Sequence, residues 1–276
     1  MNKVILITGI SSGFGKETAK LLAARGHTVY GTLRKEAEKI DKVNVLQLDL
    51  TNYDSIKKAV KSVLVKEGRI DVLINNAGAH TGGPVETAPD EHIRLQMETN
   101  FLGMVRLTKE VLPIMREQGQ GRIINFSSIG GLMGLPFQGF YSASKFAIEG
   151  FSEALRMEIA RFKIKVVVIN PGDFHTSNSA NRRNFLAPST PGDPWHDHFR
   201  KSLSIIEHDE SHGWDPSVLA KKIARIVETR YPKQRYIIAS FEQKLAVLLK
   251  YILPAKWFMK ILASHYGLIL NPPMKA

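Results

Sequence analysis

The 276-residue chain contains no cysteine. This absence excludes disulfides, thiolate metal sites and a cysteine nucleophile, and it fits a reducing compartment. Histidines cluster between His196 and His212, but no recognised ligand spacing accompanies them, so we expect no metal. The chain also has no internal repeat or low-complexity tract. The apolar run between Lys3 and Thr8 is too short for a signal peptide, which favours a cytoplasmic location.

Acidic residues are few relative to basic ones. The chain has 26 Asp and Glu against 38 Lys and Arg, a formal net charge of +12. Half of this excess lies between Lys233 and the C-terminus, which favours a basic surface patch at one end of the chain. A positive net charge also makes nucleic-acid binding an alternative function. The sequence contains no recognition motif for nucleic acid, however, so we expect no nucleic-acid partner.

Seven apolar runs rich in β-branched residues alternate with segments of helical period. The runs are VILIT, TVYGTL, VNVLQL, DVLINN, GRIINFS, IKVVVIN and RYIIAS. Strands that are apolar on both faces belong to a parallel sheet with helices on both sides. The sequence therefore predicts an α/β fold, a doubly wound parallel sheet of about seven strands. We expect one domain over residues 1–240, with a substrate-binding loop or lid at 173–213, and a basic amphipathic helical extension over 241–276.

The loop TGISSGFG joins the first predicted strand to a helix. Gly9 allows a tight exit from the strand, while Gly13 and Gly15 leave room for a diphosphate against the N–H groups that open the helix. Ser12 is placed to help hold the phosphate. A glycine-rich turn without a ligand is the alternative, but the strand, loop and helix that a dinucleotide site requires are all present.

The residues after the second predicted strand select between dinucleotides. An acidic side chain there binds the adenosine ribose of NAD(H), whereas an arginine meets the 2′-phosphate of NADP(H). This chain has Arg34 and Lys35 at that point. We therefore predict NADP(H) rather than NAD(H), and the alternative for these cations is a solvated basic edge.

Tyr141 and Lys145 are four residues apart in YSASK, on a predicted helix. This spacing places both side chains on one face, where an ammonium lowers the pKa of a phenol from its usual value of about 10. Ser128, at the end of the fifth predicted strand, is placed to donate to the carbonyl oxygen that Tyr141 would protonate. Packing and solvent contact are the alternative for such side chains.

Five motifs coincide with the predicted strand ends: TGISSGFG, NNAG, the serine after the fifth strand, YSASK and NPGDFHT. Together they resemble the short-chain dehydrogenase/reductase family over about residues 3–239. The resemblance implies a Rossmann-type subunit in which Tyr141 is the catalytic acid or base and Lys145 lowers its pKa and holds the nicotinamide ribose. It also implies that Ser128 orients the substrate oxygen and that Asn100 supports a proton relay through water. The alternative for Asn100 is a helix N-cap or a buried amide.

The same resemblance implies a cofactor-binding set drawn from successive strand ends. Asp49 would bind the adenine amine and Thr176 the nicotinamide carboxamide. The full set is Gly9, Ser11, Ser12, Gly13, Phe14, Gly15, Arg34, Asp49, Leu50, Asn76, Ala77, Gly78, Tyr141, Lys145, Pro171, Gly172 and Thr176. A homo-oligomer, dimer or tetramer, is implied as well, with the helices around residues 101–115 and 145–162 as candidate interfaces.

The segments TLR and GGLMGLPFQGFYSASKFAIEGFSEALR are similar to the branch that contains 17β-hydroxysteroid and retinol dehydrogenases. This similarity implies reduction, or the reverse oxidation, of a bulky hydrophobic substrate such as a steroid, retinoid or lipid ketone. The substrate-binding residues would be Ser128, Met133, Leu135, Phe137 and Tyr141. Ordinary loop packing is the alternative for the three apolar ones, and a non-catalytic dinucleotide sensor that docks through its basic tail is the alternative function.

The basic tail has the pattern of two amphipathic helices separated by Pro254. Leu245, Leu248, Leu249 and Ile252 share one face of the first. Lysines interrupt the apolar run, which falls short of the roughly 20 apolar residues that a membrane span needs. Such helices either lie in a membrane surface or pack on their own domain or a second subunit, and the pattern does not decide between these outcomes.

Overall fold

The computed structural model describes residues 2–35, 39–175 and 190–270. The seven apolar runs contain seven strands, which form one parallel sheet in the order β3-β2-β1-β4-β5-β6-β7. The strands are β1 Val4–Thr8, β2 Thr28–Leu33, β3 Val43–Gln47, β4 Val72–Asn75, β5 Gly121–Phe126, β6 Ile164–Pro171 and β7 Arg235–Ile238. The predicted doubly wound α/β fold is confirmed.

Helices cover both faces of this sheet. Within the described residues they are α1 Gly13–Ala24, α2 Tyr53–Glu67, α3 Asp90–Met97, α4 Gly103–Glu117, α5 Gly139–Glu158, α6 His196–Ser211, α7 Pro216–Glu228, α8 Phe241–Ile252 and α9 Ala255–His265. A π-helical turn, Glu98–Leu102, joins α3 to α4. Such turns occur frequently at functional sites.

The first strand, β1, shows how the sheet separates two cores. Its side chains point alternately to opposite faces, so Ile5 and Ile7 lie in one core and Val4 and Leu6 in the other. The first core is completed by α1 and α7, and the second by α2, α4 and α5. Because both faces are covered, the strand is apolar throughout, which is the pattern that the sequence displays.

The strand order reverses beside β1, which pairs with β2 on one side and β4 on the other. In an open α/β sheet the loops that follow two such strands diverge and leave a crevice at their carboxyl ends, where ligands bind. The residues that immediately follow β1 and β4 are Gly9 and Asn76. The fold therefore places the glycine loop and the NNAG motif on two sides of one crevice.

The last two helices form a small third core over the loop that follows β5. Val247 of α8 and Phe258 of α9 pack with Ile129, Leu132 and Met133 of that loop. The segment after the sheet is therefore partly packed onto the carboxyl end of the sheet.

Hydrogen bonds near both ends of α8 hold this helix in place. The helix α8 begins with a capping box between Ser240 and Gln243, and the Lys250 ammonium donates to the carbonyl of Leu132.

Of the predicted lid at 173–213, residues 176–189 lie outside the described residues, and α6 forms much of the remainder. No helix in the described part of the chain is long and apolar enough to cross a bilayer.

Candidate active site

The loop between β1 and α1 presents the opening N–H groups of a helix. Ser12 is the N-cap residue of α1, but its side chain makes no capping hydrogen bond, and the first turn carries no acidic residue. Gly9 and Gly13 have φ values of +73° and +55°, which favour glycine. Open helix N–H groups next to backbone without side chains suit a diphosphate, so the residues present fit the dinucleotide that the sequence predicts.

The neighbouring NNAG motif holds this loop in place. The Asn76 amide donates to the carbonyls of Thr8 and Gly9, at 2.9 Å each. In return, the Thr8 hydroxyl accepts from the backbone N–H groups of Asn76 and Ala77, at 3.1 and 3.0 Å. A Cβ on Gly9 would lie 2.8 Å from Ala77 Cα, so the close approach of the two loops requires glycine. Thr8, the last residue of β1, therefore joins the glycine loop to the NNAG motif.

Gly15 differs from its predicted place in the phosphate loop. It is buried in the first turn of α1, and a Cβ there would collide with the Gly9 carbonyl and the Asn76 amide. Gly15 therefore allows the helix to pack closely on the two loops and does not line the cavity. The spacing of glycines alone cannot separate these two roles.

The ends of β2 and β3 form another part of the cavity wall. Arg34 and Lys35 line it and are exposed, and neither forms an ion pair with another described residue. The Asp49 carboxylate accepts from the N–H and the hydroxyl of Thr51, at 2.9 and 2.8 Å, and Leu50 is buried beside it. The cations are thus available to an anionic ligand at the edge where an adenosine would lie.

Tyr141 and Ser128 come together beside Gly130, and Lys145 lies near the Tyr141 ring. A Cβ on Gly130 would lie 3.3 Å from Tyr141 Cε1 and 3.5 Å from Ser128 Oγ. The Lys145 ammonium lies 5.6 Å from the centre of the Tyr141 ring. The three side chains thus meet at the end of β5 beside the first turns of α5.

The Lys145 side chain is buried, and its ammonium donates to the Phe126 carbonyl at 2.9 Å. Burial lowers the pKa of Lys145 to about 8, and the charge of Glu149 acts in the opposite direction. A lysine with this pKa changes charge within the physiological range. Such perturbed groups are concentrated at functional sites.

Asn100 lies in the π-helical turn and is buried. Its amide oxygen accepts from the Ala79 N–H at 2.7 Å, and its amide nitrogen donates to the Ala79 carbonyl and to the Ser144 hydroxyl. A Cβ on Gly78 would lie 3.3 Å from this oxygen and 3.8 Å from the Lys145 nitrogen. The structure thus shows the buried amide that the sequence analysis gave as an alternative, and it places that amide near Lys145. Its part in a proton relay remains a prediction.

Sequence reasoning did not find His80, which also lines the site. Its imidazole stacks on the Tyr141 ring, with centroids 4.1 Å apart and planes inclined by 11°. His80 follows NNAG by two residues, and this position is the one signal that the sequence offers. Stacking across two chain segments depends on the tertiary fold, so residue spacing could not have predicted it.

One cavity of about 1300 Å³ connects these features. It is lined by nearly all the predicted residues: Gly9, Ser11, Ser12, Gly13, Phe14, Arg34, Asp49, Leu50, Asn76, Ala77, Gly78, Ser128, Met133, Leu135, Tyr141, Lys145, Pro171 and Gly172. Thr176 lies outside the described residues. The roles of these residues in binding and catalysis remain predictions, but the fold brings them to one place.

Phe137 differs from its predicted position. It does not line the cavity, and its ring packs on Phe199 of α6, with centroids 5.4 Å apart. The backbone of Phe137 has φ +56°, which is uncommon for a residue other than glycine. A role of Phe137 in substrate binding stays a prediction, and in this structure its ring is part of the packing between this loop and α6.

The sequence profile of the short chain dehydrogenase family matches residues 3–187. The chain belongs to this family. Its members are oxidoreductases that act on carbonyl or hydroxyl groups with a nicotinamide dinucleotide, so the family expected from the five motifs is confirmed.

Two relatives and one solved structure illustrate the likeness. This short-chain dehydrogenase is 47% identical to a 3-ketodihydrosphingosine reductase of Bacteroides thetaiotaomicron, over 96% of this chain and 98% of the relative. It is 30% identical to an NADPH-dependent 3-dehydrocapnine reductase of Ornithobacterium rhinotracheale, over 93% and 94% of the two chains. A short-chain dehydrogenase from Streptomyces avermitilis superposes with a TM-score of 0.77 at 29% identity, over 96% and 97% of the chains.

The last two helices of this short-chain dehydrogenase supply an apolar part of the cavity that sequence reasoning missed. The lining residues from α8 and α9 include Phe241, Leu245, Ala246, Leu249, Phe258, Ile261 and Leu262. The amphipathic pattern of the tail was recognisable, but only the fold shows that one side of it faces the catalytic end. No group of side chains suited to a metal ion occurs among the residues that the structure describes.

We predict that Gly130→Ala lowers both the stability and the activity of the protein. The new methyl would lie between Ser128, Tyr141 and Leu135 at 3.3 to 3.5 Å, and overpacking of this kind costs about 1 to 3 kcal/mol. The same methyl would displace Ser128 or Tyr141, so we expect kcat/KM for a ketone to fall by about tenfold, which corresponds to a barrier about 1.4 kcal/mol higher. Steady-state kinetics measure this effect.

Gly134→Ala is the matched control, because Gly134 lies in the same loop and a Cβ there meets nothing within 4 Å. Gly130→Ala should unfold a few degrees below Gly134→Ala, and its rate should be lower at temperatures where both variants are fully folded. Equal rates in the two variants would show that the space beside Gly130 is not used by the substrate.

Proposed function

We propose that this enzyme reduces a ketone on a bulky lipid with NADPH, with Tyr141 as the acid and with oxidation of the alcohol as the reverse reaction. The observation that supports this proposal most strongly is the meeting of Ser128, Tyr141 and the buried Lys145 at one end of a large cavity. An apolar part of the wall of the same cavity comes from α8 and α9.

In the proposed reaction, each side chain has one task. A bound nicotinamide dinucleotide supplies the hydride. Tyr141 gives its hydroxyl proton to the carbonyl oxygen, and the Lys145 ammonium stabilises the phenolate that results. The Ser128 oxygen accepts from the Gly130 N–H at 3.0 Å, so its own proton can be donated to the same carbonyl oxygen.

The proposed cofactor residues follow the walls of the crevice. The N–H groups of Ser12, Gly13 and the start of α1 would hold the diphosphate. Arg34 would meet the 2′-phosphate, because a guanidinium pairs well with phosphate oxygens. The name of the 3-dehydrocapnine reductase includes NADPH dependence, which supports this choice of nucleotide.

The proposed substrate is a long-chain ketone, and a 3-keto sphingoid base is the first candidate. The cavity of about 1300 Å³ exceeds the usual size of a small-molecule site, so it offers room for an apolar chain beside a dinucleotide. Met133, Leu135, Leu249 and Phe258 line it and suit hydrocarbon. The name of the relative at 47% identity supports the sphingoid candidate.

We also propose that α8 and α9 contact an anionic membrane surface. Their outer side chains are exposed: Phe241 is 74% exposed, Trp257 67% and Ile252 64%. Phe241 also lines the cavity, so the apolar surface is continuous with the cavity mouth. Exposed lysines such as Lys256 accompany them, and a basic amphipathic surface with tryptophan suits an anionic interface.

A homo-oligomer remains part of the proposal. Leu102 beside α4 and Met157 on α5 are exposed apolar side chains, at 38% and 72%. Both lie within or next to the helices that the sequence indicated as interfaces. Contact between two copies would remove these side chains from water.

Tyr141→Phe should abolish the reduction while preserving nucleotide binding. Loss of a general acid costs about a hundredfold to ten-thousandfold in rate, whereas the phenylalanine ring preserves the stacking with His80. The measurement is NADPH oxidation with 3-ketodihydrosphingosine, and with steroid and retinoid ketones in parallel, together with NADPH binding by fluorescence. Undiminished turnover in this variant would exclude Tyr141 as the acid. If the wild type reduces none of the tested ketones, the proposed substrates are excluded.

Arg34→Ser should weaken the binding of NADPH much more than the binding of NADH. A hydrogen bond between charged groups contributes about 1.5 to 3 kcal/mol, so KM for NADPH should rise by about tenfold or more while KM for NADH changes little. Lys58→Ser is the control, because Lys58 is exposed and does not line the cavity. If the wild-type enzyme uses both nucleotides equally well, the assignment of Arg34 is wrong.

Membrane contact is tested by sedimentation with vesicles. The wild type should bind phosphatidylglycerol vesicles more strongly than phosphatidylcholine vesicles, and Trp257→Glu should reduce this binding by about tenfold, since it removes an interfacial anchor and adds a like charge. Val65→Glu provides the comparison, because Val65 is 76% exposed on α2. Equal loss in both variants, or no binding by the wild type, would contradict the proposal.

A further inference from the structure

Glu149 is a buried carboxylic acid that the proposed reaction does not use. It lies on α5, four residues after Lys145 and eight after Tyr141, and it is 7% exposed. Residues at this spacing follow one another along one side of a helix. Burial of an acid is costly unless its charge is compensated, so this position calls for a physical explanation.

Two neighbouring strands hold the Glu149 carboxylate. One oxygen accepts from the Asn170 amide of β6 at 2.6 Å, and the other accepts from the Arg235 guanidinium of β7 at 2.7 Å. The same Asn170 amide donates to the Ser128 carbonyl at 2.9 Å. The carboxylate is therefore fixed next to the backbone that carries Ser128.

Lys145 has a neutral hydrogen-bond acceptor, and the charge that favours its ammonium form comes from Glu149. Its recorded hydrogen bond goes to the neutral Phe126 carbonyl, while burial lowers its pKa to about 8 and Glu149 opposes this effect. The Tyr141 ring lies near the Lys145 ammonium, and the His80 imidazole from the loop after β4 stacks on that ring. Arg235 forms an ion pair with Glu149, and the charge of Arg156 also interacts with Glu149.

We propose that Glu149 is a positioning residue of this active site, whose buried carboxylate keeps Lys145 in its ammonium form while Arg235 limits how much negative charge Lys145 experiences. This proposal rests on the proposed function, in which the ammonium stabilises the Tyr141 phenolate. It assigns Glu149 a role through Lys145 rather than through contact with the substrate.

A purely structural role makes a different prediction. The ion pair between Glu149 and Arg235 also connects α5 to the edge strand β7, and its loss would lower stability in either variant. A structural connection alone leaves the titration of Lys145 unchanged. The electrostatic role instead predicts shifts of opposite sign when the anion or the cation is removed.

The decisive measurement is the titration of Lys145 in nucleotide-free protein labelled with ¹³C at lysine Cε. The Lys145 resonance is assigned by its absence in Lys145→Met. In Glu149→Gln the titration midpoint should move about one pH unit lower, because a compensating anion is lost. In Arg235→Gln it should move higher, because more of the Glu149 charge acts on Lys145. Glu153→Gln, which alters an exposed acid one turn further along α5, should leave it unchanged.

Unshifted midpoints in Glu149→Gln and Arg235→Gln would overturn the proposal. If Glu149→Gln does not fold, Arg235→Gln decides alone, and an unchanged or lower midpoint in that variant overturns it. The pH dependence of kcat/KM gives a second readout, since the activity of Glu149→Gln should decline at lower pH than that of the wild type. Full activity of Tyr141→Phe would refute the proposed function, but the Lys145 titration would still test Glu149.

Discussion

The constraint on which the site depends is the burial of one ammonium group. Lys145 lies in the domain interior, and its nitrogen is held by the carbonyl at the end of β5. Loss of hydration favours the neutral amine, so the surroundings must supply compensation. The Phe126 carbonyl supplies a hydrogen bond, Glu149 supplies charge, and the packing of α5 against the sheet brings Tyr141 to the same position.

Much of the fold was predictable, because parallel strands that are covered on both faces have sequences that are apolar almost throughout. The residues at the strand ends were also predictable, because the chain must turn there or contact a ligand. Gly9 allows such a turn, and Asn76 holds it by hydrogen bonds. The sequence could not separate Gly15, which packs a helix against two loops, from glycines that face a ligand. It also could not reveal the stacking of His80 on Tyr141, which joins segments about sixty residues apart.

The C-terminal helices show a different limit. Their amphipathic pattern was equally compatible with packing on the domain and with contact at a membrane, because a hydrophobic face does not identify its partner. In the structure Val247 and Phe258 pack on the loop after β5, while Phe241 and Trp257 remain exposed. The two alternatives are therefore compatible: one side of the helices completes the cavity, and the other presents an apolar surface at its mouth.

The most direct test of the account is a crystal structure with NADP⁺ and the alcohol product. The account predicts that the product oxygen lies about 3 Å from both the Ser128 and Tyr141 hydroxyls, which is hydrogen-bonding distance, with the nicotinamide ring next to the same carbon and the diphosphate at the start of α1. A product oxygen bound elsewhere in the cavity, or a nicotinamide directed away from Tyr141, would contradict it.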